Sequence, residues 1–480
     1  MEHQRKLFQQ RGYSEDLLPK TQSQRTWKTF NYFTLWMGSV HNVPNYVMVG
    51  GFFILGLSTF SIMLAIILSA FFIAAVMVLN GAAGSKYGVP FAMILRASYG
   101  VRGALFPGLL RGDIAAIMWF GLQCYAGSLA CLILIGKIWP GFLTLGGDFT
   151  LLGLSLPGLI TFLIFWLVNV GIGFGGGKVL NKFTAILNPC IYIVFGGMAI
   201  WAISLVGIGP IFDYIPSGIQ KAENSGFLFL VVINAVVAVW AAPAVSASDF
   251  TQNAHSFREQ ALGLVVAYIL FAVAGVCIIA GASIHYGADT WNVLDIVQRW
   301  DSLFASFFAV LVILMTTIST NATGNIIPAG YQIAAIAPTK LTYKNGVLIA
   351  SIISLLICPW KLMENQDSIY LFLDIIGGML GPVIGVMMAH YFVVMRGQIN
   401  LDELYTAPGD YKYYDNGFNL TAFSVTLVAV ILSLGGKFIP FMEPLSRVSW
   451  FVGVIVAFAA YALLKKRTTA EKTGEQKTIG

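Results

Sequence analysis

From Thr29 to Ser85 the chain carries no Asp, Glu, Lys or Arg. One bilayer crossing takes about 20 apolar residues, so this run reads as two helices joined by a tight turn near Ser58. The same pattern repeats to the end of the chain. Apolar segments fall at about 29–57, 59–81, 103–135, 155–174, 183–207, 228–248, 261–284, 303–336, 345–362, 369–395, 419–436 and 447–464. Lipid offers the backbone no hydrogen-bond partners, so segments of this kind cross it as helices. The expected fold is an all-α polytopic membrane protein with 12 transmembrane helices. Residues 1–28 form a polar tail with no apolar stretch that would serve as a cleaved signal, and 465–480 form a second tail. The longest internal loop is about 396–418, which leaves no room for a soluble domain.

Two of the segments look interrupted. The first contains Ser39-Val40-His41-Asn42-Val43-Pro44, with Gly38, Gly50 and Gly51 around it, and the sixth contains Val239-Trp240-Ala241-Ala242-Pro243. A proline inside a helix removes a hydrogen bond and clashes with the preceding turn. Non-helical backbone at membrane depth survives only where protein or a wet cavity receives it. If the first ten helices form two halves of five, the first and sixth are equivalent. Breaks at matching places in two halves are a sequence pointer to a transporter binding site, although plain proline kinks would look the same. The eighth segment holds Thr316-Thr317-Ile318-Ser319-Thr320-Asn321-Ala322-Thr323-Gly324-Asn325, seven hydroxyl or amide side chains in ten residues. These are either packing contacts between helices or a polar cavity wall, and their density favours the wall. Trp119 and Gln123 lie four apart on the third segment, the partner of the eighth under the same repeat.

Composition and charge refine this picture. Hydrophobic residues make up 57% of the 480 and charged residues 10%, against about 45–50% apolar in a soluble domain. Sorting the 28 Lys and Arg across twelve helices puts 22 on the side of the two tails and 6 on the other. The positive-inside rule then places both termini in the cytoplasm, and the net charge of +6 calls for no nucleic acid. The stretches 29–57, 114–135, 228–248 and 303–336 contain no charged residue. A charged cargo would be expected to meet a counter-charge, so the cargo is expected to be neutral, read by aromatic faces and amide hydrogen bonds. An amino-acid carrier, which also needs partners for a zwitterion, is a second possibility, and a channel a third. The five cysteines lie in apolar segments without a C-x-x-C pair, and the five histidines are scattered. No nucleophile–base set suggests an enzyme.

At these residues the chain resembles the nucleobase-cation-symport-1 family. The resemblance rests on Asn80-Gly81 through Lys86-Tyr87-Gly88, Arg96-Ala97-Ser98-Tyr99-Gly100, Asn325-Ile326-Ile327-Pro328-Ala329-Gly330-Tyr331 and Gly377-Gly378-Met379-Leu380-Gly381-Pro382. Ala389-His390-Tyr391-Phe392 and Asp402-Glu403-Leu404-Tyr405 complete it. Within the family, His41-Asn42-Val43-Pro44 and Pro359-Trp360-Lys361-Leu362-Met363-Glu364 are most similar to the bacterial allantoin-carrying branch.

The resemblance implies a LeuT-like 5+5 inverted repeat over 29–396, a cytoplasmic loop 397–418 and two additional helices in 419–464. It implies ring stacking by Trp119 and Trp240 and polar contacts from Gln123, Asn325 and Asn42. It places a sodium ion among the carbonyls of Gly38, His41 and Thr316 and the hydroxyls of Ser319 and Thr320, with a proton as the alternative coupling ion. The implied activity is import of allantoin through a bacterial inner membrane by cation symport. Uracil, cytosine or hydantoin are the alternative cargoes. Two stretches depart from the family pattern. Asp113 stands near the start of helix three, where an acid complements a positive helix N-terminus. The run Arg258–Leu264 is about one turn short, which would rotate the start of helix seven.

Overall fold

The computed structural model describes residues 2–287, 292–337, 340–363, 366–406, 414 and 416–478. Glu364, Lys412 and much of the loop at 397–418 lie outside the described residues.

The twelve apolar segments appear in the expected order. Eight are single helices long and apolar enough to cross a bilayer: Thr59–Asn80, Leu105–Ile138, Leu156–Gly176, Ile186–Val206, Phe257–Tyr286, Leu303–Ile336, Leu371–Val394 and Leu420–Lys437. The last span is a pair, Pro440–Ser446 and Ser449–Lys465, bent by 87°. The first is split into Thr29–Val40 and Val43–Phe52, the sixth into Ser225–Val239 and Ala241–Val245, and the ninth is the 14-residue helix Tyr343–Leu356. Side-chain caps start many of them. Ser58, Ser155, Asn224, Ser302, Thr342 and Asn419 each accept a hydrogen bond from a backbone N–H in the first turn, which satisfies a donor that helix geometry leaves open. The fourth and fifth spans join at Gly176, whose φ of 58° is cheap only for glycine. A two-stranded hairpin, Thr150–Leu151 with Leu154–Ser155, is a small departure from an all-α chain.

Two of the resemblance motifs outside the cavity, at 377–382 and 389–392, hold two spans together. A Cβ on Gly381 would sit 2.9 Å from the Trp450 carbonyl, and one on Gly453 2.6 Å from Pro382. Such close approach of backbones holds the tenth span against the twelfth where hydrophobicity alone cannot. His390 Nδ1 shares a hydrogen bond of 2.8 Å with the Tyr461 hydroxyl, tying the same two spans.

The tail at 1–28 is docked. Phe8 is fully buried and stacks on Tyr405 at 4.2 Å. Arg11 donates to the Tyr405 carbonyl at 2.7 Å, and the Tyr13 hydroxyl to the Thr406 carbonyl at 2.9 Å. Arg25, 2% exposed, donates to the Ser85 carbonyl at 2.9 Å.

Asp113 and Gln260, one from each of the two departing stretches, carry buried polar atoms without partners. The third span begins at Leu105, so Asp113 lies two turns in, within a π-turn at Leu110–Ala115. The dipole of a helix acts over its first turn, so Asp113 does not serve as an N-terminal acid. Both its carboxylate oxygens are buried without a hydrogen-bond partner. At the start of the seventh span, Gln260 is 1% exposed with both amide atoms unpartnered, and Glu259 Oε2 is in the same state. The cysteines are free. Cys124 and Cys277 are buried, while Cys131, Cys190 and Cys358 are only half-buried, so they are not uniformly core residues as expected.

Candidate functional site

The break in the first span is built by two asparagines. Its first half ends at Val40, and His41 leaves helical geometry with φ −87° and ψ 65°. Asn42 then caps the second half. Its Oδ1 accepts from the Asn45 N–H at 3.1 Å, and its Nδ2 donates to the Ser39 carbonyl at 2.7 Å. Asn45 Nδ2 donates to the Val40 carbonyl at 2.8 Å. The polar groups freed by the break are thus paired within a dry interior, as they must be. Pro44 falls in the first turn of the second half, where its missing N–H costs nothing. The sixth span breaks at Trp240, with φ −95° and ψ 4°, and again at Ser246.

Between these breaks and the third and eighth spans lies a cavity. All five residues expected to hold a substrate line it: Trp119, Gln123, Trp240, Asn325 and Asn42. The structure adds Trp36, Asn45 and Phe250, which pattern alone did not single out. The rings are wedged from behind. Trp240 meets Trp36 edge-on at 5.1 Å and Tyr268 at 5.5 Å, and Trp119 meets Phe372 at 5.1 Å. The indole N–H groups of Trp36, Trp119 and Trp240 are buried without partners, as are Gln123 Oε1 and the Thr323 hydroxyl. The lining contains no Lys, Arg, Asp or Glu. One cation stands just outside it. Arg111, placed by sequence among the flanking positive residues, is fully buried. It donates from Nη2 to the Gly324 carbonyl at 3.1 Å and from Nε to Ser246 Oγ at 3.2 Å.

Of the seven polar residues on the eighth span, only Thr320, Thr323 and Asn325 face the cavity. Thr316 and Thr317 bond back to the Ile313 carbonyl at 2.9 and 2.7 Å. A second group of oxygens gathers at the junction with the first span. The Thr320 hydroxyl lies 3.3 Å from the Gly38 carbonyl, 3.1 Å from that of Ser39 and 3.0 Å from that of Thr316. Ser319 Oγ is buried and unpartnered, and a Cβ on Gly38 would lie 3.0 Å from it. His41 directs its side chain elsewhere. Its Nδ1 is 2.9 Å from the Tyr46 hydroxyl, and its ring stacks on Phe195 at 4.6 Å.

Comparison with known proteins places this site in context. The chain is 99% identical, over the full length of both, to an Escherichia coli (strain K12) protein provisionally named allantoin permease. It is 38% identical to the allantoin permease of Bacillus subtilis (strain 168), across 94% of this chain and 93% of that one. Its fold matches that of Mhp1, a nucleobase-cation-symport-1 family transporter in a closed conformation with bromovinylhydantoin bound. The TM-score is 0.75 at 23% identity, over 96% of both chains. The LeuT-like expectation for the fold therefore holds. With residues 19–453 matching its family model, the chain belongs to the permeases for cytosine and purines, uracil, thiamine and allantoin.

Proposed function

We propose that this multi-pass transporter imports allantoin across the bacterial inner membrane, driven by a co-transported cation and working by alternating access. The observation that carries the reading is the cavity: three tryptophans and four amide side chains line it, with no charged residue among them. Allantoin is an imidazolidine-dione ring with a ureido tail, rich in donors and acceptors and without full charge. Indole faces grip the ring, and amides, which both donate and accept, match the urea edges. The relatives named for allantoin support the same cargo. In this reading Trp119 and Trp240 stack on the substrate while Gln123, Asn325 and Asn42 hold its polar edge. Residues 29–396 form the transport core, 419–464 an accessory pair, and both termini are cytoplasmic.

Sodium is the proposed coupling ion, held by the carbonyls of Gly38, His41 and Thr316 and the hydroxyls of Ser319 and Thr320. The Thr320 hydroxyl has one hydrogen and three carbonyl oxygens around it. It can satisfy only one of them, and the unpartnered Ser319 oxygen adds to the surplus. Converging oxygen lone pairs are what a hard cation takes. A proton carried by His41 is the competing reading, because its Nε2 is buried without a partner.

The test is competition for uptake of labelled allantoin by unlabelled allantoin, hydantoin and uracil, with and without sodium. Allantoin should compete best and sodium should stimulate. Uracil competing equally would overturn the cargo. Indifference to sodium with drive from an acid-outside gradient would overturn the ion.

A further inference from the structure

Asn325 lies at the end of a chain of three amides, and the direction of that chain is fixed far from the cavity. It begins in the fourth span, where Asn169 Nδ2 donates to the Phe165 carbonyl at 2.8 Å. A backbone carbonyl can only accept, so Asn169 must turn its Oδ1 the other way. That oxygen receives Asn321 Nδ2 at 3.1 Å. The same Asn321 nitrogen also donates to the Phe120 carbonyl of the third span at 3.2 Å. Two acceptor-only anchors therefore set the polarity of Asn321, whose Oδ1 faces Asn325. Asn325 answers with Nδ2 at 2.9 Å. Its own Oδ1 is left for the cavity.

We infer that Asn321, which does not itself line the cavity, is a positioning residue that compels Asn325 to present an acceptor to the substrate, so that the site demands an N–H at that point. Asn321 is fully buried and Asn169 is 1% exposed, so no water is at hand to reverse either amide. The arrangement explains why the eighth span carries two asparagines four apart, one in the wall and one behind it. This inference rests on the assignment of a urea-type ring as cargo and adds to it a direction: a ligand offering only an oxygen lone pair to Asn325 sets acceptor against acceptor. Such a mismatch leaves buried groups unpaired and lowers affinity by roughly tenfold to hundredfold.

The experiment compares hydantoin with ring analogues in which one N–H is replaced by an ether oxygen, measured as competition against labelled allantoin. The wild-type protein should prefer the N–H compound by roughly tenfold to hundredfold. In Asn321→Ala the Asn325 amide is free to rotate and offer its Nδ2, so the preference should fall below threefold, while a merely structural role would weaken both ligands alike. Adding Asn325→Asp to Asn321→Ala restores the preference, because both carboxylate oxygens accept whichever way the group turns. If Asn321→Ala does not fold, Asn169→Ala, which removes one anchor and leaves the Phe120 carbonyl, should lose part of the preference. An undiminished preference in Asn321→Ala, or in Asn169→Ala where that variant stands in, overturns the inference alone. A wild-type protein that binds none of these rings overturns the cargo assignment.

Discussion

Replacing Trp240 or Trp119 with Ala tests whether the two indoles form a clamp. A tryptophan can bury roughly 200 Å², and one face laid on a planar ligand accounts for about a quarter of that. At about 25 cal/mol per Å² the lost contact is worth about 1.2 kcal/mol. Stacking beyond area burial adds about 0.5–1.5 kcal/mol. Together these predict a fall in affinity of roughly twentyfold to hundredfold for either variant. Both substitutions also remove a packed side chain, since Trp240 supports Trp36 and Tyr268 and Trp119 supports Phe372. The controls must separate the two effects. Trp166 is the internal standard, because its indole donates to the Ser351 carbonyl at 3.1 Å and to Ser354 Oγ at 3.3 Å, away from the cavity. Trp166→Ala should lower the melting temperature and leave affinity within twofold. Trp240→Phe and Trp119→Phe keep a ring face and should recover most of the binding. The assay is quenching of tryptophan fluorescence by allantoin, titrated on purified protein alongside thermal unfolding in detergent. Unchanged affinity in both Ala variants, or a loss matched by Trp166→Ala, would refute the clamp.

Other outcomes follow from the same geometry. Thr320→Ala should reduce apparent sodium affinity by roughly tenfold, the loss of one charge-assisted contact, read as the sodium dependence of allantoin uptake; no change would remove Thr320 from the ion site. Asn42→Gln lengthens the reach of the amide and should shift preference from allantoin toward the smaller hydantoin ring, and should lower stability by about 1 kcal/mol because the cap on Asn45 is lost; competition assays and melting curves measure the two parts separately. Asp113→Ala removes two buried, unpartnered oxygens and should stabilise the protein by about 1–3 kcal/mol, seen as a higher melting temperature with binding unaltered. Gln260→Leu should act in the same direction at the start of the seventh span, and a lower melting temperature would show that the amide is paired after all.

The helix breaks were legible in sequence because proline, glycine and polar residues interrupt long apolar runs in ways that no lipid-facing helix needs. Trp119, Gln123, Trp240 and Asn325 could be chosen because they fall on segments already marked by a break or by dense polarity. Trp36 and Phe250 could not. An aromatic residue in an apolar helix has the same local signature whether it meets lipid, core or cavity, and only packing tells them apart. Asn42 was expected only as a polar contact to the substrate, yet both ends of its side chain also serve the break, a role that depends on backbone geometry no spacing reveals. The π-turns at Leu110–Ala115 and Ala322–Ile326 shift side-chain direction within helices whose sequences look regular. Arg111 lies near a helix end in sequence, and its burial comes from the neighbouring spans that close over it.

The docked tail sets an order of events during synthesis. Arg11 reaches its partner across 394 residues and Tyr13 across 393. A ribosome adding roughly 5–20 residues per second needs about 20–80 s to make that stretch. Through that interval Phe8 has no Tyr405 to stack on, and the guanidinium of Arg11 has no carbonyl to meet. The tail leaves the ribosome long before its partners and is therefore among the last segments to find its place. Docking of the tail on Tyr405 and Thr406 reports that the tenth span has been made, and a chain stalled earlier carries a loose, protease-accessible tail.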